Sequence, residues 1–230
     1  MDAVCNSDII RVDGVERNPT LAHQLMRSYA RHQGGQVPVN TIVSDLKENY
    51  NTEVSEATVA SYINALKKIF VVEDMPAWSP NLRSKTAIRT SDTRYFVDPS
   101  VAAASLGIGP KDLLADFNTF GLMFETLAVR DLRVYAEALD GSVSHYRDRN
   151  GLECDAVVHL RNGSYGLVEV KIGGDTLIEE GVRNLKKLAQ KIDTNRMREP
   201  SFMMVLTAIG GYAFRRSDGV WIVPIAALKQ

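Results

Sequence analysis

Cysteine is nearly missing from this chain, and what there is carries no pattern. Cys5 and Cys154 stand far apart, with no Cys-x-x-Cys or Cys/His neighbourhood. That argues against structural zinc and a disulfide framework, and leads us to expect a reducing, cytoplasmic setting. Long apolar runs are also missing: no hydrophobic stretch approaches the ~20 residues of a membrane span. Met1-Asp2-Ala3-Val4-Cys5-Asn6-Ser7-Asp8 has no basic stretch leading into an apolar one, so neither secretion nor a membrane partner is expected. Excess positive charge is lacking too. With 27 Lys+Arg against 28 Asp+Glu, the formal charge is −1, and any contact with nucleic acid must use a local patch. No Gly-x-x-x-x-Gly-Lys-Ser/Thr occurs, so ATP binding is not expected on these residues. Neither Gly-x-Ser-x-Gly nor a Cys/His nucleophile pair points to acyl transfer. His23, His32, His145 and His159 stand alone, and no role is assigned to them.

What remains is a chain of 230 residues, 45% hydrophobic and 24% charged, long enough for one large domain or two small ones. The residue pattern changes near position 100. Before it, Leu21, Leu25, Met26 and Tyr29 recur at helical spacing from Pro19 to His32, and Gly34-Gly35 stops the run. A second helix fits Val39 to Tyr50. Ser55 can cap a third, with Val59, Ile63, Leu66 and Phe70 as its stripe. Phe70 to Glu73 and Arg94 to Asp98 then read as two strands around the turn-forming stretch Trp78 to Lys85. Helices followed by a two-stranded ribbon make a winged helix. Its DNA-binding reading would use Thr58, Ser61, Tyr62, Lys67 and Lys68 on the third helix and Arg83, Lys85 and Arg89 in the wing. Residues 1 to 120 hold 12 Lys+Arg against 14 Asp+Glu, so dimerisation or docking is the stronger expectation for this module.

In the second half, Phe120 to Ala138 predicts a helix with Phe120, Phe124, Leu127 and Val134 on its apolar face. Glu125 lies about 100° around from Phe124. Gly121, one turn earlier on the same face, leaves space there for an ion or another backbone. Strands are expected over Val143 to Arg147, Asp155 to Leu160 and Tyr165 to Ile172. Period-two alternation puts Leu167, Glu169 and Lys171 on one face of the last. Whether Asp155 joins them depends on the turn. A two-residue Asn162-Gly163 loop would place it opposite Val170, on the wrong face. A three-residue loop, Arg161-Asn162-Gly163, pairs Leu160 with Ser164 and sets Asp155 opposite Glu169, with Gly163 in the left-handed position of a G1 bulge. We expect the three-residue loop. Thr176-x-x-Glu179 has the form of a capping box opening a helix through Leu185, Leu188, Ala189 and Ile192, and Phe202 to Thr207 and Val220 to Val223 read as further strands.

These residues carry a resemblance. Phe120-Gly121-Leu122-Met123-Phe124-Glu125, the stretch Tyr146 to Asp155, and Val168-Glu169-Val170-Lys171 resemble the PD-(D/E)XK nuclease superfamily over residues 120 to 207. The whole chain resembles the domain-of-unknown-function 4143 family, usually found behind an AAA-type ATPase module in bacteria and archaea. Cys154 and Ala156 depart from the larger hydrophobic residues usual around that aspartate. The resemblance implies an α/β fold: an N-terminal winged-helix-like domain followed by a restriction-endonuclease-like α-β-β-β-α-β core. It divides the chain into residues 1–18, similar to the tail of a missing upstream ATPase module, 19–100, the winged helix, and 101–230, the nuclease-like domain.

The implied chemistry is metal-dependent phosphodiester hydrolysis, with Mg²⁺ or Mn²⁺ as the expected cofactor. Asp155, Glu169 and the carbonyl of Val170 would ligate it, Glu125 directly or through water. Lys171 would orient the attacking water or stabilise negative charge. Arg183, Lys186, Lys187 and Lys191, on the exposed side of the capped helix, would touch phosphates of DNA. The expected partners are DNA, the upstream ATPase module and a second copy of the chain. The alternative is a non-catalytic regulatory, DNA-binding or oligomerisation module that retains the nuclease fold.

Overall fold

The computed structural model describes residues 1–79 and 91–228. The chain divides into two compact units, Met1–Asp74 with Ser91–Thr126, and Met75–Thr90 with Leu127–Gln230.

The first unit opens on a π-helical turn, Val4–Asp8, and the short helix α1 (Ile9–Arg11). Cys5 and Ile9 are buried in the unit's core. Three longer helices follow: α2 (Pro19–Arg31), α3 (Val39–Tyr50) and α4 (Glu56–Lys68). Their starts follow from capping chemistry. Asn18 Oδ1 accepts the Thr20 N–H at 2.8 Å just ahead of Pro19, and Ser55 Oγ accepts the Thr58 N–H at 3.1 Å. The apolar stripes, Leu25, Met26 and Tyr29, then Ile42 and Leu46, then Val59, Ile63 and Leu66, meet in one core. Strands β1 (Val72–Met75) and β2 (Thr93–Phe96) form a two-stranded sheet. Helices α5 (Pro99–Leu106) and α6 (Pro110–Ala115) come next.

Two expectations around α4 are corrected. Phe70 is not the end of its apolar stripe: the helix stops at Lys68, and Phe70 turns the chain into β1 with φ +56°, 81% exposed. Tyr62 is buried rather than displayed, because the N-terminal segment lies over it and its hydroxyl accepts the Asn18 N–H at 2.8 Å. Lys67 is engaged by Asp74 at 2.6 Å, which leaves less free charge on this face than the sequence suggested. Arg83, Lys85 and Arg89 lie outside the described residues.

The buried Arg17 guanidinium fastens that segment, with both terminal nitrogens on Asp13, at 2.6 and 2.9 Å, and one also on the Ile9 carbonyl. The hydrogen bond from Arg17 holds the Asp13 carboxyl down at about 2, against an ordinary 3.8. A depressed carboxyl stabilises the fold above its unfolded value and loses that contribution as pH falls through its folded value. The melting-temperature gap between wild type and Asp13→Asn should therefore be full at neutral pH and close between about pH 4 and about pH 2. A gap independent of pH would refute this.

Helix α7 (Phe117–Ala138) begins at Phe117 rather than Phe120, because Asp116 caps it: its carboxylate accepts the Asn118 and Thr119 N–H groups and, at 2.6 Å, the Thr119 hydroxyl. Its buried apolar positions are Met123, Phe124, Ala128, Val129, Leu132 and Ala136, whereas Val134, expected on the apolar face, is 54% exposed. Strands β3 (Gly141–Arg147), β4 (Glu153–Leu160) and β5 (Tyr165–Lys171) follow, then helix α8 (Asp175–Lys191). Strands β6 (Phe202–Thr207), β7 (Phe214–Arg215) and β8 (Trp221–Pro224) close the chain. The six strands form one mixed sheet in the order β3-β4-β5-β6-β8-β7. Strands β3, β4 and β5 are antiparallel neighbours, β5, β6 and β8 run parallel, and β7 pairs antiparallel at the edge.

Helix α8 is the crossover between the parallel strands β5 and β6, and it lies against one sheet face. Val182, Leu185, Leu188 and Ile192 pack there on Val157, Leu167, Val205 and Ile222. The expected capping box does not form. The residue preceding α8 is Gly174, at φ +87°, so the helix starts a residue before Thr176, and Glu179 instead forms a forked ion pair with Arg216.

Both thiols are free and buried. Burial pushes Cys5 up to about 11 and Cys154 well above the usual thiol range. The folded protein should therefore give no fast reaction with a thiol reagent, and two equivalents should appear only on unfolding. Rapid native labelling of either would contradict this packing. Among the described residues, no helix is long and apolar enough to cross a membrane.

Candidate functional site

The site is built by the turn between β4 and β5. Leu160 N–H donates to the Ser164 carbonyl at 2.8 Å, and Gly163 N–H donates to the Leu160 carbonyl at 3.0 Å. Gly163 sits at φ +83°, a conformation that glycine adopts without steric cost, and Asn162 Oδ1 accepts the Ser164 N–H at 2.8 Å. This is the three-residue loop expected from the sequence. It fixes the ladder as Ala156 with Val168, Val157 with Leu167, Val158 with Gly166 and His159 with Tyr165. One step further along that register sets Asp155 opposite Glu169. The backbone no longer carries the contact there: Asp155 Oδ2 accepts the Val170 N–H at 2.7 Å.

Glu169, Lys171 and Asp155 are thus brought together. Glu169 is 1% exposed, and its Oε2 lies 3.0 Å from Lys171 Nζ. Its other oxygen, Oε1, is buried and has no hydrogen-bond partner among the described residues. Burial, then the neighbouring Asp155 charge, pushes Glu169 up to about 8, with Lys171 and the Asn184 amide giving partial relief. Burial also raises Asp155, against the pull of Lys171 and the Val170 N–H. For Lys171 burial acts downward, but Asp155, Glu169 and Glu180 outweigh it and the net direction is up. Lys171 is therefore an ammonium at neutral pH, a donor and a positive charge rather than a base.

Helix α8 adds residues the sequence reading missed. Glu180 and Asn184, one turn apart, flank the apolar stripe and act on the three site residues. Between them in the helix, Gly181 permits close approach to the sheet: a Cβ there would lie 3.3 Å from both Glu169 Cβ and Val205 Cγ2. A glycine inside an amphipathic helix was the available signal, since it costs helix stability and needs a packing reason.

Other predicted residues stand elsewhere. Glu125 falls in the first unit, where the buried Tyr95 hydroxyl donates to its Oε1 and the Gly34 backbone lies alongside its carboxylate. Lys186 pairs with Asp218 at 2.7 Å and Lys191 with Asp148 at 2.6 Å, while Arg183 and Lys187 are exposed. A depression of about 430 Å³ opens beside Asn184, lined also by Asn150, Leu152, Lys187, Gln190 and Lys191.

Residues 120–228 match the model of a family described only as a domain of unknown function, DUF4143. Residues 1–112 match a different model, the domain of unknown function DUF8612. The resemblance read over the whole chain thus narrows to its second half, and the DUF4143 segment contains every member of the Asp155–Glu169–Lys171 cluster. No curated protein and no solved structure matches the chain.

A hydrated divalent cation fits this cluster, while a closed protein cage does not. The buried, unpartnered Glu169 Oε1 is an acceptor lacking a donor, which a cation would relieve. Among the described residues, however, no group of three or more His, Cys, Asp or Glu side chains could hold a metal ion. Two carboxylates with water completing the shell suit Mg²⁺, which dehydrates reluctantly.

Proposed function

We propose that the second unit is a Mg²⁺- or Mn²⁺-dependent phosphodiesterase of the PD-(D/E)XK nuclease type, acting on DNA, and that the first unit is a winged-helix-like module. The observation that carries this reading is the buried Glu169 Oε1 without a donor, opposite Asp155 and beside a permanently charged Lys171. Asp155, Glu169 and the Val170 carbonyl would hold the cation. When bound, the cation supplies an activated water and neutralises phosphate charge. Lys171 holds its proton at Nζ and offers a charged hydrogen bond to a developing phosphorane oxygen. Glu169 aims that ammonium through its 3.0 Å contact. The Val170 N–H fixes the Asp155 carboxylate. Burial of Glu169 against α8 lowers its contact with bulk water, so its interaction with the ammonium is stronger than between exposed charges. The helix–sheet order α7-β3-β4-β5-α8-β6 supports the same family reading.

Arg183 and Lys187 are the remaining exposed cations for phosphate contact on α8. An AAA-type ATPase module is the proposed upstream partner. A regulatory or oligomerising module gains support from the ion pairs that neutralise Lys67, Lys186 and Lys191. Calorimetric titration with Mg²⁺ or Mn²⁺, paired with a DNA cleavage assay on wild type and Asp155→Ala, tests the enzymatic reading. Absence of metal-dependent heat and of cutting in wild type would leave the regulatory one.

A further inference from the structure

The flank of α8 that meets the cluster changes character along its length. Glu180 and Asn184 act on the site residues, and Lys187 and Lys191 follow at the spacing of one helix face. Lys187 comes one turn after Asn184, ~4.5 Å further along the axis. There the depression of about 430 Å³ opens between this flank and the turn that joins β3 to β4. Asn184 belongs to both places, to the wall of the depression and, through its amide, to the Glu169 carboxylate, so the two adjoin. Asp148 fixes the opposite wall. Its Oδ1 accepts the Asn150 and Leu152 N–H groups at 2.8 and 3.0 Å, and its Oδ2 takes Lys191 Nζ at 2.6 Å, which ties turn to helix and neutralises Lys191. Lys187, Gln190 and Asn150, also on the wall, are exposed, and their side chains have no partner among the described residues.

We infer that this depression is a second phosphate site: it holds the backbone phosphate next to the scissile one on the bound strand, with Lys187 as counter-charge and Asn150 and Gln190 as donors. An ammonium and carboxamide N–H groups are what a phosphodiester oxygen accepts from. Among the described residues the wall carries lysines and carboxamides and no carboxylate. In a chain of formal charge −1 that is a local departure of the kind a phosphate contact requires. Position agrees with chemistry. One DNA strand rises ~3.4 Å per nucleotide, so a strand with its scissile phosphate at Asp155 and Glu169 brings the next one to the level of Lys187. Arg183 is exposed but does not line the depression, and Lys186 is held by Asp218. The consequence for the substrate is that its strand must extend at least one phosphate beyond the cut, on the side of the β3–β4 turn. This inference rests on the phosphodiesterase reading for its ligand.

The test is fluorescence anisotropy of a labelled DNA duplex with the full chain in EDTA, from about 50 to about 200 mM salt. Lys187→Gln should reduce the slope of log affinity against log salt by ~0.9, the value for one phosphate contact, and Lys187→Arg should keep it. Asn150→Ala/Gln190→Ala should weaken binding roughly 5-fold per side chain with the slope unchanged. Arg161→Gln, at the exposed hairpin tip, should alter neither. Circular dichroism checks that the variants fold. Equal slopes for wild type and Lys187→Gln, or no binding by wild type, overturn the inference. So does saturable binding of dAMP that needs Lys187 beside a DNA slope that does not, since the depression then serves a free nucleotide. Cleavage in Mn²⁺ is read separately, on DNA and on bis(p-nitrophenyl) phosphate, a diester without a neighbouring phosphate. Lys187→Gln should raise KM for DNA and leave hydrolysis of the small diester at the wild-type rate. An equal loss on both overturns the second phosphate site alone, and the slope change without any Mn²⁺-dependent cutting by wild type overturns the nuclease reading alone.

Discussion

Asp155→Ala should abolish divalent-metal-dependent DNA cleavage, with a loss of at least ~10³-fold, because it removes one of the two carboxylates proposed to hold the cation. The protein should still fold. Asp155 is half-buried, and the hydrogen bond it makes to Val170 N–H lies beyond the regular β4–β5 ladder, whose turn stays intact. Lys171→Met should cost on the order of 10²–10³-fold, the usual size for deleting one charged stabiliser, while leaving the heat of metal binding in place. That split assigns the ligands and the ammonium separately. Cutting by Asp155→Ala at the wild-type rate would remove the proposed chemistry from this cluster.

Glu169→Gln should make the metal-free protein more stable at alkaline pH. The Glu169 carboxyl is raised from 4.5 to about 8 in the fold. Between those values the native state keeps a proton that the unfolded chain has released, so wild-type stability falls as pH rises through that window and levels off above it. Every tenfold gain in proton affinity corresponds to ~1.4 kcal/mol, so the penalty above about pH 8 is on the order of several kcal/mol. Asp155, also raised, acts with the same sign. The amide of the variant has no charge to bury, so its denaturation midpoint should decline less with rising pH than that of wild type, the residual decline coming from Asp155. Added Mg²⁺ should recover stability in wild type and not in the variant. An ordinary structural ion pair predicts the opposite, because the variant would leave Lys171 with one carboxylate fewer. Urea melts from pH 5 to pH 9, with and without metal, decide between them.

How much of this was legible in the sequence depended on whether the signal was local. The Arg161-Asn162-Gly163 loop announces itself, since a glycine at the left-handed position and an asparagine that caps its own turn leave one low-cost register, and the meeting of Asp155 with Glu169 follows by counting. The helix starts at Pro19 and after Ser55 were legible from equally local signals. The misses came from long-range competition. Tyr62 has helix-surface spacing, but residues 44 positions earlier in the chain bury it. Glu179 fits a capping box until Arg216, 37 residues on, claims its carboxylate. Glu180 and Asn184 could not be joined to the cluster from sequence, because which flank of α8 faces β4 is set by tertiary packing. Strand β7 is two residues long, below what alternation can reveal.

The hairpin that joins β4 to β5 acts as a ratchet. Side chains along a strand alternate, so one residue added to or lost from that connection would rotate every position of one strand by half a turn relative to the other and carry an acidic group through the sheet. The tip residues at 161–163 are remote from any chemistry, yet their number is as constrained as the identity of the carboxylates themselves. Drift in such a protein can rewrite Arg161 but must keep the length of this bend and the left-handed glycine within it.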